Sequence, residues 1–258
     1  MRVKQVSNAL LNLGIKPQEK IAVFSQNCIQ YLYTDFGAYG IRVVSIPFYA
    51  TSSESQIQYM INDAEVKYLF VGEQDQYDKA HRIFPLCPSL ERIIIFDESV
   101  RVSSHDPNAI YFEDFLRLGE GLPRQTEVEK RWAEANEDDV CNILYTSGTT
   151  GASKGVILNY RQYNAAIIAN GKCVGVSDKD RAINFLPFTH VFERGWSYLC
   201  LSVGAQLIIN TYPKEIQDSM RETHPTCMSS VPRFWEKVYQ AVKAKMDEAS
   251  GVQRKLFN

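Results

Sequence analysis

The sequence predicts an α/β fold in which largely parallel sheets are flanked by helices on both faces. Short runs rich in β-branched and aromatic residues alternate with amphipathic helical runs along most of the chain. The strand-like runs are apolar at nearly every position, which indicates strands buried on both sides. Buried strands separated by helices are typical of a parallel sheet with a helical layer on each face.

Residues 1–97 carry four strands and are predicted to form one subdomain. A helical repeat of apolar residues opens the chain, and Gly14 supplies its stop. Asn27 is expected to cap the second helix, and Ser53 with Gln56 forms the capping-box pair of the third. The expected strands are residues 21–25, 43–48, 66–72 and 92–97, and the expected helices are 3–13, 27–39, 53–63 and 74–84.

Residues 98–137 are charged and contain several Gly and Pro residues, so they are predicted to be a linker with one or two short helices. The alternation resumes in residues 138–258, the second predicted subdomain, which bears the loop described below. Its expected strands are 141–145, 155–159, 181–188, 206–210 and 226–231. Its expected helices are 161–173, 191–203, 213–222 and 232–249, the last opened by Pro232 at a first helical position.

Composition excludes several classes of function. The chain has 258 residues, and its 28 Lys and Arg against 30 Asp and Glu give a net charge of −2. This balance lacks the basic surplus of a non-specific nucleic-acid binder or of a polybasic membrane-surface protein. No apolar run approaches the roughly 20 residues that a transmembrane helix needs.

The cysteines indicate a reducing compartment. The six cysteines contain no CxxC pair and stand mostly in apolar runs, so they are expected to be buried free thiols. The four histidines show no metal-ligand spacing, and a structural zinc site is therefore not expected. We predict a cytoplasmic protein.

The segment LYTSGTTGASKG, residues 144–155, combines hydroxyls, glycines and a lysine directly after an apolar strand. Its glycines allow successive backbone N–H groups to face one concavity, and Lys154 adds a mobile positive charge. The segment is not a Walker-type P-loop, because Ala152 and Ser153 separate the preceding glycine from the lysine. The expected polyphosphate ligands are Thr146, Ser147, Gly148, Thr149, Thr150, Gly151 and Lys154.

This segment resembles the phosphate loop of the adenylate-forming enzymes, YTSGTTGxPKG, with Ser153 in place of the usual proline. Two more segments are similar to the long-chain fatty acyl-CoA synthetase branch of that family: LPFTHVFER at 186–194 and SVPRFWEKVY at 230–239. The similarity covers essentially the whole chain. It implies part of the large N-terminal, AMP-binding domain of such an enzyme.

The resemblance implies a two-step ligase reaction. A fatty carboxylate attacks the α-phosphorus of ATP to give acyl-adenylate and pyrophosphate, and the thiol of coenzyme A then displaces AMP. Lys154 and His190 are the implied catalytic residues, ATP and Mg²⁺ the implied cofactors, and coenzyme A the co-substrate. The implied substrate-binding residues are His190, Phe192, Arg194, Trp196 and Val231.

The residues themselves leave structural alternatives open. Glu193 and Arg194 would serve equally well as an ion pair that fixes their helix. Aromatic and branched side chains at these spacings are also typical of plain core, as the sequence around Phe188, Phe192, Trp196 and Val231 allows.

The family pattern includes segments that this sequence does not contain: an adenine-contact segment with the Mg²⁺-binding glutamate, a TGD segment, and a small C-terminal domain with a catalytic lysine. We therefore expect a fragment with weak or no ligase activity and leave the metal ligand unassigned. Its expected partners are fatty acid, ATP, coenzyme A and its own missing C-terminal domain, with peripheral contact at the inner membrane face compatible with the family. The incomplete sheet favours self-association of the fragment.

Two rival functions remain at this point. One is another carboxylate-activating enzyme of the same group, which would act on an aryl or amino acid. The other is a short, non-catalytic protein that binds a nucleotide or an acyl group.

Overall fold

The computed structural model describes residues 1–104, 106–120, 124–146 and 153–248. Within these residues it contains ten α-helices and ten β-strands. The helices are α1 (Arg2–Asn12), α2 (Ile29–Tyr39), α3 (Glu54–Ala64), α4 (Gln74–Ile83), α5 (Phe112–Arg117), α6 (Gln125–Ala133), α7 (Tyr160–Val174), α8 (Val191–Ser202), α9 (Ile216–Thr223) and α10 (Pro232–Glu248). The strands are β1 (Lys20–Ser25), β2 (Val44–Tyr49), β3 (Val66–Val71), β4 (Arg92–Ile95), β5 (Ala109–Tyr111), β6 (Val140–Thr146), β7 (Lys154–Asn159), β8 (Arg181–Asn184), β9 (Gln206–Ile209) and β10 (Cys227–Met228).

The strands form two sheets that are almost entirely parallel. The larger sheet has seven strands in the order β5-β4-β3-β1-β2-β6-β7, and the smaller has three in the order β10-β8-β9. Every neighbouring pair is parallel except β6 and β7, which form an antiparallel hairpin at one edge of the larger sheet. The predicted fold class is therefore confirmed.

Helices cover both faces of the larger sheet, because its central strands are apolar at consecutive positions. Ile21 and Val23 pack in the core formed with α1, α2 and α5, whereas Ala22 and Phe24 pack in the core formed with α3 and α4. All four side chains are completely buried. This alternation follows from the two-residue period of a strand.

The smaller sheet lies on the α2 side of the larger one. Phe188, which follows β8, and Tyr198 of α8 belong to the same hydrophobic cluster as residues of α1 and α2. The larger sheet also contains strands from both sides of the predicted linker, since β6 pairs with β2 and β7 pairs with β6. The sheet thus continues across residues 98–137, and the division into residues 1–97, 98–137 and 138–258 stays a prediction.

Most predicted helices and strands are present, with boundaries shifted by a few residues. Gly14 has a left-handed backbone, φ 82°, directly after the first helix, as a helix stop requires. The capping box of Ser53 and Gln56 is formed at the start of α3. The predicted linker does contain two short helices, α5 and α6, but it also contributes β5 to the edge of the larger sheet.

Three local predictions were wrong. The N-cap of α2 is Cys28, not Asn27. The side chain of Asn27 instead donates to the carbonyl of Leu186 at 2.8 Å and accepts from the N–H of Phe188 at 2.9 Å. The backbone groups of Leu186 and Phe188 therefore bond to this side chain and not to a neighbouring strand, and β8 ends at Asn184 instead of continuing to residue 188. The strand expected at 226–231 forms a ladder only over Cys227–Met228.

The cysteines are free thiols, but they are not all buried. Cys87, Cys141 and Cys200 are buried, whereas Cys173 is exposed because it lies on the outer face of α7. Among the described residues, no helix combines the length and the apolar character needed to cross a membrane.

Candidate active site

The hairpin of β6 and β7 holds the two ends of the predicted phosphate loop. Thr146 is the last residue of β6 and pairs with Lys154, the first residue of β7. Cys141 and Leu144 are buried and anchor β6 in the sheet, while Thr146 and Lys154 are exposed. The two ends of the loop therefore lie at the edge of the sheet, where the side chains of Thr146 and Lys154 are open to solvent.

The loop itself lies outside the described residues, and with it lie five of the predicted phosphate ligands: Ser147, Gly148, Thr149, Thr150 and Gly151. The predicted roles of all the phosphate ligands stay predictions. The structure adds that Thr146 and Lys154 lie opposite each other at the base of the loop.

His190 is the N-cap of α8. Its Nδ1 accepts a hydrogen bond from the N–H of Phe192 at 3.2 Å. A neutral imidazole that accepts through Nδ1 carries its hydrogen on Nε2. Since the residue is exposed, it presents an N–H donor outward at the start of α8.

A largely apolar cavity of about 630 Å³ lies between α7, α8 and the residues that follow β10. Its size falls in the usual range for small-molecule sites, roughly 300–1,000 Å³. Its apolar wall consists of Leu158, Tyr163, Ala166, Ile167, Val174, Val191, Phe192, Gly195, Trp196, Leu199 and Met228. Its polar groups come from Gln162, Asn170, Ser229 and Ser230.

Two of the predicted substrate-binding residues line this cavity. Phe192 and Trp196 lie one turn apart on α8 and face it together. Val231 follows the wall residue Ser230 but is not part of the wall, and His190 directly precedes the wall residue Val191. Phe188 is plain core, with its ring edge against Tyr31 at a centroid distance of 5.5 Å.

Arg194 lies away from the cavity, in a fully buried ion pair with Asp35 of α2. Its Nη1 is 2.5 Å from Asp35 Oδ2. Nη1 also donates to the hydroxyls of Tyr39 and Tyr198, while Nε donates to the carbonyl of Phe188 and Nη2 to the hydroxyl of Tyr31. Burial alone would lower the pKa of Arg194, but the Asp35 carboxylate raises it well above its usual range. These internal partners occupy the guanidinium on all sides, so the described residues give no support to the predicted substrate contact of Arg194, which stays a prediction.

The ion pair expected between Glu193 and Arg194 is not formed. Consecutive residues of a helix point about 100° apart, so these two side chains cannot meet. Glu193 is instead held by Asn184 Nδ2, by the Ser229 hydroxyl and by the backbone N–H of Phe185. Burial raises the pKa of its carboxyl to about 8, although these three hydrogen bonds act to lower it.

Two polar groups beside the cavity are unsatisfied. Tyr163 Oη and Trp196 Nε1 are buried without a hydrogen-bond partner among the described residues. Both side chains belong to the cavity wall. Buried donors of this kind are normally paired, which is consistent with a site that receives a ligand.

Sequence reasoning missed Asp35, Asn184 and Ser229. Asp35 stands in the otherwise apolar run of α2, and a charged residue at such a position signals a buried partner. The pairing of Asn184 and Ser229 with Glu193 joins three separate segments. No sequence signal identifies that contact in advance.

Comparisons with known proteins agree with this architecture. A family model described as AMP-binding enzyme matches residues 1–257. The chain is 26% identical over 267 residues to fatty acyl-CoA synthetase A of Dictyostelium discoideum. This match covers 100% of this chain and 38% of that protein. It is 26% identical over 271 residues to long chain acyl-CoA synthetase 5 of Arabidopsis thaliana, covering 99% of this chain and 39% of that protein. The chain thus spans about two fifths of the length of these curated relatives.

Solved structures share the fold. The anthranilate CoA ligase AuaEII in complex with anthranoyl-AMP superposes with a TM-score of 0.75 at 21% identity, covering 88% of this chain and 42% of that one. A long-chain-fatty-acid-CoA ligase from Archaeoglobus fulgidus superposes with a TM-score of 0.72 at 18% identity, and the match covers 94% of this chain and 46% of that one. ATP-bound MatB from Rhodopseudomonas palustris superposes with a TM-score of 0.72 at 21% identity, and the match covers 93% of this chain and 44% of that one.

Proposed function

Because the chain belongs to the AMP-binding enzymes, we propose that it forms part of a long-chain fatty acid–CoA ligase. In the proposed reaction, a carboxylate oxygen of the fatty acid bonds to the α-phosphorus of ATP, and pyrophosphate leaves with the electrons of the broken P–O bond. The sulfur of coenzyme A then bonds to the acyl carbon, and AMP leaves. The names of the Dictyostelium and Arabidopsis relatives support the choice of a fatty acid.

The cavity between α7 and α8 is the observation that carries the proposal. Most of its wall is apolar, and His190 stands beside it at the start of α8. Each methylene group transferred from water into such a cavity gains about 0.8 kcal/mol. An acid with a long alkyl chain should therefore bind there far better than an acid with a short chain.

The described residues support roles for His190 and Lys154 in the first step. The Nε2–H of His190 is available to donate to an oxygen of the carboxylate or of the phosphoryl group as charge shifts between them. Lys154 begins the same strand whose residue Leu158 lines the cavity, about 13 Å further along at the usual rise of a strand. This spacing suits an acyl chain in the cavity and phosphates at the hairpin loop.

ATP is assigned to the hairpin as a substrate. The MatB structure is described as ATP bound, which supports this choice for a chain of the same fold. For Mg²⁺ the described residues do not form a site, because no three His, Cys, Asp or Glu side chains among them are arranged to hold a metal ion. No protein ligand is assigned to the metal, and no step is derived through it.

Filling the cavity tests the proposal. Gly195 lies in the cavity wall on α8, and a Cβ atom added there meets no atom within 4 Å. Gly195→Leu therefore places a side chain in the cavity without weakening the helix, because glycine is roughly 0.8–1 kcal/mol less favourable in a helix than alanine and leucine ranks just below alanine. We expect the wild-type chain to bind dodecanoate, measured by calorimetric titration, and Gly195→Leu to bind it at least tenfold more weakly.

Ala169→Leu is the matched control, because Ala169 is exposed on α7 and absent from the cavity wall. It should bind dodecanoate like the wild-type chain. Equal binding by Gly195→Leu and Ala169→Leu would contradict the assignment of the cavity. Tighter binding of anthranilate than of dodecanoate would instead favour an aryl acid as the substrate.

A further inference from the structure

Glu193 is a completely buried carboxyl without a cationic partner among the described residues. Its side-chain oxygens contact Asn184 Nδ2, Ser229 Oγ and the backbone N–H of Phe185, and Arg194 beside it is bound to Asp35 instead. An isolated carboxylate in such surroundings is disfavoured relative to the neutral acid, because burial removes its hydration.

A chain of amide contacts fixes which oxygen of Glu193 bears the hydrogen of the neutral acid. The backbone N–H of Phe188 donates to Asn27 Oδ1, so Asn27 must present its NH₂ group to Asn184 Oδ1, at 3.1 Å. Asn184 therefore presents its own NH₂ group to Glu193 Oε1 and to the hydroxyl of Ser197, at 2.9 Å from the latter. Since Oε1 faces only a donor there, the hydrogen of the neutral acid belongs on Oε2.

Glu193 Oε2 faces the hydroxyl of Ser229. A protonated Oε2 donates to Ser229 Oγ, and the hydrogen of the serine hydroxyl is then directed elsewhere. An ionised Glu193 would instead accept that hydrogen. Ser229 lines the cavity between α7 and α8, at its polar end next to Ser230. The protonation state of Glu193 thus decides whether Ser229 offers the cavity a free O–H donor.

We propose that Glu193, as a neutral acid, is a positioning residue that turns the Ser229 hydroxyl into a hydrogen-bond donor for the carboxylate head of an acyl substrate. This inference rests on the proposed acyl function of the cavity. Ser229 would contact the substrate, and Glu193 would act only through Ser229.

The surroundings of Glu193 make this arrangement dependent on pH. Burial raises the pKa of its carboxyl to about 8, so the free donor is present near neutral pH and lost above it. On α8, Cys200 is a thiol whose pKa burial raises to about 12, and Arg194 is bound to Asp35. On β10, burial raises the pKa of Cys227, and on β8, Arg181 donates to a backbone carbonyl beyond the strand. The pH dependence expected near pH 8 is therefore assigned to Glu193 and not to these neighbours.

The protonation of Glu193 is tested first without a ligand. Infrared difference spectra of the whole chain are compared between the wild type and Glu193→Gln as the pH is raised. We expect a carbonyl band of a buried neutral carboxylic acid at pH 7 that is missing in Glu193→Gln and disappears as the pH passes about 8 in the wild type. A wild-type chain without that band at pH 7 would overturn the proposal.

The contact with the substrate is tested by titration with dodecanoate between pH 6 and pH 9.5. In the wild type, the dissociation constant should rise several-fold between pH 6 and pH 9.5, with the midpoint of the rise near pH 8, because ionised Glu193 withdraws the donor. Glu193→Gln should lose this slope. Ser229→Ala should bind several-fold more weakly at pH 6 and also lack the slope, whereas the matched variant Ser230→Ala should retain it.

The outcomes separate this inference from the proposed function. Ser229→Ala binding as tightly as the wild type at pH 6, or a wild-type slope in Glu193→Gln, would refute the role of the pair while leaving the cavity as an acyl site. Failure of the wild type to bind dodecanoate at any pH would overturn the acyl site and the Ser229 contact together. The infrared band would then still decide the state of Glu193 by itself.

Discussion

Glu193 and Arg194 are neighbours in the sequence, yet their side chains lie in different surroundings. Arg194 is neutralised by Asp35 and surrounded by tyrosine hydroxyls, whereas Glu193 meets only uncharged hydrogen-bonding groups. The direction of each side chain follows from the helical period, but the partners come from α2 and from the segment after β10. The sequence therefore singles out Glu193 and Arg194 as candidate functional residues, but it does not indicate which partners their side chains bind.

The burial of Glu193 has a consequence for stability. The pKa of its carboxyl rises from an ordinary 4.5 to about 8 in the folded chain. The folded state therefore holds the proton more tightly than the unfolded state does, and this stabilisation is complete below pH 4.5 and lost as the pH rises through about 8. The loss amounts to about 1.4 kcal/mol per pH unit within that window.

The glutamine of Glu193→Gln cannot titrate, so this variant should lack the pH-dependent stabilisation that the Glu193 carboxyl provides. Between pH 6 and pH 8, we expect the free energy of unfolding to fall by about 2–3 kcal/mol more in the wild type than in Glu193→Gln. Urea denaturation at the two pH values measures both differences, and all other titrating groups cancel in the comparison. The same fall in both proteins would show that Glu193 is ionised in the folded chain at pH 6.

At the scale of the element, α8 is the helix on which the account depends. His190 caps its start, Phe192 and Trp196 line the cavity, and Arg194 fastens it to α2 through Asp35. The ion pair joins a helix packed on the larger sheet to the helix that connects β8 and β9 of the smaller sheet. It therefore fixes the position of the cavity wall relative to the larger sheet.

Removing one partner of this ion pair should be strongly destabilising. Asp35→Ala leaves the Arg194 charge buried and unpaired, and we expect a loss of about 3–5 kcal/mol in the free energy of unfolding, measured with urea. The double variant Asp35→Leu with Arg194→Met should recover much of that loss, because no buried charge remains. Asp138→Ala, which breaks an exposed ion pair with Arg161, is the control and should change stability little. Equal losses from Asp35→Ala and Asp138→Ala would contradict the fastening role.

The elements themselves were largely predictable, because their signals are local. The capping box at Ser53 and the stop at Gly14 depend on neighbouring residues alone, and both are present in the structure. The role of Asn27 was not predictable in this way, since its side chain bonds to residues more than 150 positions away. The short edge strand β5 was missed because it pairs with β4 in the middle of a polar segment.

At the scale of the whole molecule, the sequence predicted a helix-covered parallel sheet and the structure confirms it, since strands such as β1 are buried on both faces. The sequence also singled out Phe192 and Trp196, which do line one cavity. It could not show that Arg194 faces the opposite way, or that Ser229 joins the wall from a distant segment. The position of a candidate site depends on how separate segments pack, and no local pattern records that packing.

Photochemical labelling tests whether a long acyl chain binds between α7 and α8. The full chain is irradiated with a dodecanoate analogue that carries a diazirine at its methyl end, and the labelled peptides are identified by mass spectrometry. We expect label on residues of α7 and α8, displaced by an excess of unlabelled dodecanoate. Label confined to another apolar surface, such as the exposed Trp235 and Tyr239 of α10, would contradict the account.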